Sequence, residues 1–200
     1  MRFNFSSFFY TKVIDPILAG GQRRIVNSLE PGDRVIDIAC GTGSLSMAMS
    51  GICTSVLGID LSDEMIELAT DTAARKKVAN VAFELRDASH LSHIKDKSFD
   101  KAVSSMAVHQ FDHDLAISIL KEMKRISERV VIMDYNQPLS NALWRTVIWL
   151  IEWIAGGDHY RNFRNYNRLG GLTYFLEQAG LEADVKELYH GSSFRVVSCI

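Results

Sequence analysis

One nine-residue run constrains this chain more than any other feature: Val35-Ile36-Asp37-Ile38-Ala39-Cys40-Gly41-Thr42-Gly43. It reads as an apolar strand that ends in a turn of small residues, with a short helix over Ser44–Ser50 beyond it. Small residues let a ligand approach the backbone, and the helix start offers free N–H groups. The alternation then continues. Ser55–Ile59 reads as a strand, and Ser62 caps a helix to about Lys77 with Asp63 and Glu64 in its first turn. Val81–Leu85, Lys101–Ser105 and Val130–Asp134 read as strands, and Leu115, Ile119, Met123 and Ile126 mark a helix over Asp114–Ile126. Such alternation predicts the α/β class, a mainly parallel sheet with helices on both faces.

The ends depart from this rhythm. Residues 12–28 read as a helix packed outside the sheet. After Pro138 come a Trp-rich helix over Asn141–Ala155, an Arg/Asn/Tyr-rich segment over His159–Arg168, and a helix over Leu172–Gln178 that Gly180 stops. Two apolar strands close the chain, about Glu182–Leu188 and Phe194–Cys199. The short His190-Gly191-Ser192 link makes them antiparallel neighbours. They bring the expected sheet to seven strands. With 200 residues and no internal repeat, the expectation is a single domain. Within it, residues 1–30 form an N-terminal helical segment, 31–135 a ligand-binding core, 136–180 a helical cap and 181–200 the closing strand pair.

Lys plus Arg number 22 against 24 Asp plus Glu, a net charge of −2. A protein that holds nucleic acid by bulk charge is normally basic, so no nucleic-acid partner is expected. Cys40, Cys53 and Cys199 form no C-x-x-C pair and no even disulfide set, which suits a reducing, cytoplasmic setting. The aromatic start, Met1–Tyr10, lacks the pattern of a signal peptide. The greasiest stretch, Leu143–Ala155, is broken by Arg145 and Glu152 and is shorter than the ~20 residues that span a bilayer.

Asp60 ends the second strand, where a carboxylate can accept both hydroxyls of a ribose. Ser46 stands where a dinucleotide fingerprint wants its third Gly or Ala, and no pyrophosphate needs to be bound if the ligand is a nucleoside with an amino-acid tail. Asp37-x-Ala39-Cys40-Gly41-Thr42-Gly43 followed by Asp60 resembles motif I and the acidic loop of the class I S-adenosylmethionine-dependent methyltransferases. Arg86-Asp87-Ala88 and Phe99-Asp100-Lys101-Ala102-Val103-Ser104-Ser105 continue the resemblance, which covers residues 30 to 135 by motif and the rest by layout. The layout is most similar to the type 11 group, which includes quinone-biosynthesis C-methyltransferases and bacterial phospholipid N-methyltransferases. The resemblance implies a Rossmann-like fold with S-adenosylmethionine as cofactor and S-adenosylhomocysteine as product. It implies that Asp37, Ala39, Gly41 and Gly43 line the methionine part of the cofactor and that Asp60, with Leu61 beside it, binds the ribose. Asp87 and the Ala88 backbone would meet the adenine, and Ser104 and Ser105 would lie where the fourth strand delivers the cofactor to substrate.

On the substrate side, His109 and Asp134 fall at the C-terminal edge of the sheet, and either is a candidate base. Each has a plainer reading, as a pocket-shaping histidine and as a turn former. His109 and His113 are four apart, but H-E-x-x-H is absent and no metal is expected. The Trp-rich helix is apolar over more than one face, which reads first as a helix sandwiched in the core. Its sharper readings are a substrate channel, a dimer interface or a peripheral membrane contact. Arg161, Arg164 and Arg168 share one face if their segment is helical, and Tyr160, Tyr166 and Tyr10 are candidate substrate contacts beside them. An apolar helix next to an arginine cluster suits an amphipathic acceptor, quinone-like or lipid-like. Two other readings stand beside the enzyme: an NAD-dependent oxidoreductase, and an S-adenosylmethionine-binding protein without turnover. Nothing in the sequence sets an oligomeric state.

Overall fold

The computed structural model describes residues 15–139, 141–189 and 193–200. The elements follow in chain order as α1 (Asp15–Asn27), β1 (Arg34–Ile38), α2 (Ser44–Met49), β2 (Ser55–Asp60), α3 (Asp63–Lys76), β3 (Val81–Leu85) and β4 (Phe99–Ser105). A 3-10 turn over Val108–Gln110 leads to α4 (His113–Ile126) and β5 (Ser127–Tyr135). The remainder is α5 (Ala142–Ala155), α6 (Gly157–Leu169), α7 (Leu172–Ala179), β6 (Ala183–Tyr189) and β7 (Phe194–Cys199). Element boundaries lie within one or two residues of those read from the sequence, except that β5 starts three residues earlier; the first three residues of the helix read over 12–28 lie outside the described residues.

The seven strands form one sheet in the order β3-β2-β1-β4-β5-β7-β6. β1 to β5 are parallel, and β7 runs antiparallel to both β5 and β6. The central strands are buried in continuous runs rather than alternately: four of the five residues of β1, and the last six of β5. That pattern belongs to a sheet covered on both faces. Ile36, Ile38, Val103, Ile132 and Val197 are at the centre of the core, with Ile25 of α1 and Leu120 and Met123 of α4 packed against them.

Local chemistry explains the helix boundaries. The hydroxyl of Ser62 accepts from Met65 N–H, and the Asp112 carboxylate accepts from Leu115 N–H, capping α3 and α4. Asn141 does the same for α5 through Trp144 N–H. Gly170 and Gly180 end α6 and α7 in the left-handed conformation. A buried cation ties α1 to the sheet: Lys101 Nζ donates to Ser28 O at 2.7 Å and pairs with Asp33 at 2.8 Å.

The Trp-rich helix differs from its first reading. Only Ile148 and Glu152 of α5 are buried, whereas Leu143, Leu150, Trp153 and Ile154 are exposed. One face packs inward and the other is bare among the described residues, so the helix is not sandwiched in the core. No helix among the described residues is long and apolar enough to cross a membrane.

Candidate active site

β1 and β4 are neighbours although β2 and β3 separate them in sequence. The connections leave these two strands toward opposite sides, so their C-terminal ends open a crevice. The glycine turn of residues 39–43 lies there. The crevice holds a cleft of about 270 Å³, into which Ala39, Gly41, Asp60, Leu61, Asp87 and Ala88 all face. Six residues expected from the sequence, from three successive strand ends, therefore share one wall.

Asp60 is the pivot of that wall. One carboxylate oxygen accepts Gly41 N–H at 2.8 Å and the other accepts Ser62 N–H at 2.9 Å. The backbone thus fixes the carboxylate at the mouth of the cleft. Gly41 has φ +52, and a Cβ placed on it would meet nothing within 4 Å. The open space above the turn is what a closely approaching ligand needs. Ala39 and Met106, each just past the end of a strand flanking the crevice, both have φ +57. Left-handed backbone at non-glycine residues costs free energy, and it concentrates at functional sites.

Gly43 sits one step back from the cleft. It has φ +71, and its Cα packs against the Phe83 ring, where an added Cβ would lie 2.5 Å from Cζ. Its role is to let β3 press against the turn. Asp37, Ala39 and Gly41 line an adjoining hollow with Leu18 and Gln22 of α1 and with Ser105. Asp37 is 1% exposed and accepts the Ser46 hydroxyl at 2.5 Å. Burial pushes its carboxyl up to about 7; the Ser46 hydrogen bond opposes this and the Asp60 charge adds to it. At Asp87 the Ser89 hydroxyl and N–H both donate to one carboxylate oxygen, which holds that carboxyl below the usual range. Burial pushes the Cys40 thiol far up, so it stays protonated and is no nucleophile.

Several expected site residues lie elsewhere. Ser104 is buried and donates to Ile38 O at 3.1 Å; Ser105, on the opposite side of the strand, faces the cleft instead. Tyr166 is 1% exposed and donates its hydroxyl to Tyr135 O, away from open space. Tyr160 and Arg164 share a separate groove of about 670 Å³ on α6 with Trp149, Arg161 and Arg168. The three arginines do share one helix face, as their spacing predicts. Tyr10 lies outside the described residues.

His109 and Asp134 are together, but not at the cleft. His109 Nδ1 and Asp134 Oδ1 are 2.7 Å apart, and both residues are almost fully buried. On its other side, His109 Nε2 faces Glu152 Oε1 at 3.5 Å, and Glu152 Oε2 meets His159 Nε2 at 2.5 Å. Burial alone would lower the His109 pKa; the Asp134 and Glu152 carboxylates outweigh it and raise it to about 10. A group so enclosed and so held has no route to a substrate among the described residues, which corrects its expected role as a base. His113 takes no part and pairs with Asp114 and Tyr174.

Sequence reasoning passed over Met106, Gln110 and Phe111, which complete the cleft beyond β4. It also passed over Glu152 and His159. The signal for Glu152 was present, as the single carboxylate of a largely apolar helix.

The chain matches known proteins over most of its length. Residues 29–179 match the family model described as a methyltransferase domain. The chain is 25% identical over 193 residues to the ubiquinone/menaquinone biosynthesis C-methyltransferase UbiE of Cupriavidus metallidurans, spanning 85% of this chain and 79% of that one. Its fold superposes with a TM-score of 0.73 on the PH0226 protein of Pyrococcus horikoshii OT3, at 19% identity over 94% of this chain and 91% of that one. It also superposes, with a TM-score of 0.64 and 17% identity, on magnesium protoporphyrin IX methyltransferase from Synechocystis PCC 6803, solved with bound S-adenosylhomocysteine. That alignment covers 100% of this chain and 88% of that one. The chain belongs to the methyltransferase-domain family, as a class I S-adenosylmethionine-dependent methyltransferase of the type 11 group.

Proposed function

We propose that this enzyme transfers the methyl group of S-adenosylmethionine to a quinone-like or lipid-like small molecule, with residues 136–180 covering the acceptor. The observation that carries the cofactor half is the Asp60 carboxylate, fixed by Gly41 and Ser62 N–H groups beside the open space over Gly41. That arrangement fits a ribose held against a glycine turn. The bound cofactor would supply a methyl group on a sulfonium, open to in-line displacement.

Each residue then has a physical task. Asp60 accepts the ribose hydroxyls. Asp87, kept ionised by Ser89, accepts the adenine amino group beside the Ala88 backbone. Leu61, 67% exposed, gives the purine an apolar surface to cover. Asp37, Ala39 and Gly41 line the methionine end, where a cationic ligand offsets the cost of ionising a buried Asp37. Gly43 holds the turn in shape from behind. In-line transfer depends chiefly on positioning, and a base is needed only where the acceptor must lose a proton. We assign no such base to His109 or Asp134, which are occupied with each other.

The acceptor class rests on two supports. One is the likeness to UbiE, whose name states C-methylation in quinone biosynthesis. The other is the pairing of the bare apolar face of α5 with the arginine groove of α6, which suits a ligand that is greasy at one end and anionic or polar at the other. Calorimetric titration with S-adenosylmethionine, S-adenosylhomocysteine and NAD tests the first half. Binding of the two sulfur nucleosides alone is expected, and binding of NAD alone would overturn it. Methyl transfer to short-chain quinones and to phospholipid vesicles tests the second half. Turnover confined to water-soluble acceptors without an apolar part would refute the acceptor class.

A further inference from the structure

A cluster of titratable side chains lies outside the cleft, where β5, the turn after β4, α5 and α6 meet. A ring nitrogen of His109, a Glu152 carboxylate oxygen and a ring nitrogen of His159 all lie within 4.8 Å of one another. From these positions we infer a binding site for a first-row divalent cation, with His109, Glu152 and His159 as its protein ligands. Nothing in the methyl-transfer reading requires it, and the two stand or fall separately.

Geometry supports the site first. His109 Nε2 and Glu152 Oε1 are 3.5 Å apart, too far for a strong charged hydrogen bond. Two ligands at about 2.1 Å from a tetrahedral zinc are about 3.4 Å apart, so the observed gap is the edge of such a site. His159 Nε2 approaches the other Glu152 oxygen at 2.5 Å, which brings the second imidazole to the same carboxylate. Two imidazoles and one carboxylate form a donor set that suits zinc or ferrous iron, and an oxygen-only set for magnesium or calcium is absent from the cluster.

The surroundings are those of a metal ligand set. Asp134 holds His109 Nδ1 at 2.7 Å and also accepts His109 N–H, which fixes the ring with Nε2 turned toward Glu152. A carboxylate behind a histidine is the usual support of a ligating imidazole. Tyr135 donates its hydroxyl to Glu152 Oε1 at 2.8 Å, orienting the ligand carboxylate in turn. Asp134 and Glu152 bring two carboxylates into a buried place, where a divalent cation on the imidazoles would face both. The cluster is enclosed at His109 and Glu152, with side chains 2% and 3% exposed, and opens at His159, 30% exposed. His159 is therefore the side from which an ion would enter.

An ion there would clip α5 and α6 to the C-terminal edge of the sheet. Its neighbours include the cleft: Ala107 and Gln110, on either side of His109, face the cofactor cleft, and Asn162 of α6 donates to Gln110 O at 2.8 Å. The predicted role is to stiffen that wall.

The test uses the full chain, stripped with a chelator, reloaded with zinc chloride or cobalt chloride and desalted. The wild type should retain about one zinc per chain, and its cobalt form should show the intense visible bands of a tetrahedral site. Competition against a chromophoric chelator should show His159→Gln and Glu152→Gln binding zinc at least about tenfold more weakly, while His113→Gln binds as the wild type does. His159→Gln sits at the open end, so it remains informative if Glu152→Gln does not fold. Wild-type protein that holds no more zinc than His159→Gln, or a loss shared equally by His113→Gln, would overturn the site. Calorimetry with S-adenosylhomocysteine on the stripped protein reports the cofactor site separately.

Discussion

Replacing Gly43 with alanine asks two things of the structure at once. The residue has φ +71, a conformation that costs an L-residue about 1–2 kcal/mol. The new Cβ would also lie 2.5 Å from Phe83 Cζ and 2.9 Å from Ala69 Cβ. Ala69 is buried in α3 and the half-buried Phe83 ring lies across the turn, so the ring or the turn must shift. Overpacking of that kind costs about 1–3 kcal/mol. The sum is about 2–5 kcal/mol, a large part of the ~5–15 kcal/mol that holds a domain folded. With a urea slope of about 2 kcal/mol/M, a loss of 3 kcal/mol moves the unfolding midpoint by about 1.5 M. The steric part is separable. Phe83→Leu removes the ring edge, so in Gly43→Ala/Phe83→Leu that part is relieved and only the backbone and Ala69 components remain. The double variant should be more stable than the sum of the single costs by about 1–2 kcal/mol. Gly41→Ala is the internal control. Its φ is +52 but its Cβ meets nothing, so it should lose only the backbone component while weakening cofactor binding. Additive single and double variants, or a Gly41→Ala as unstable as Gly43→Ala, would show that Phe83 does not set the cost.

Further outcomes are expected at neighbouring groups. Asp60→Asn keeps the shape and removes the charge; losing charged hydrogen bonds of about 1.5–3 kcal/mol should weaken S-adenosylhomocysteine binding about ten- to a hundredfold in calorimetry, and unchanged affinity would refute the ribose role. Asp37 binds its proton up to about pH 7 in the fold but only to 3.8 ordinarily, so between those values the native state carries the extra proton. The stability it contributes is complete below about pH 4 and is lost as pH rises through 7, by an amount on the order of 4 kcal/mol. Urea titrations from pH 4.5 to 8 should show that decline in the wild type and a flatter curve in Asp37→Asn. Lys101→Met strands Asp33 and Ser28 O at the foot of α1 and should cost about 3 kcal/mol; an unshifted urea midpoint would show the pair to be idle.

The chain's own order of residues determined the layered α/β plan and the cofactor wall. Strand and helix periods are local, and continuous apolar runs such as Val130–Met133 declare a strand buried on both faces wherever it lies. Ala39, Gly41, Asp60, Leu61, Asp87 and Ala88 were readable because strand ends in a parallel sheet all point to one edge, so position along the chain converts directly into position at the site. Ser104 failed by one residue because the strand's two-residue period decides which of two adjacent serines faces the cleft. The fate of His109 and Asp134 was not local at all. Both were placed at the right edge of the sheet. Whether they face substrate or each other depends on Glu152 and His159, which arrive later in the chain from α5 and α6. The same holds for α5, whose apolar residues surround the helix in sequence, while only packing decided that Ile148 is covered and Trp153 is bare. Periodicity names the faces of an element. Which face meets a partner, and which buried charges find one another, is set by contacts between segments far apart in the chain, and only the tertiary structure contains those.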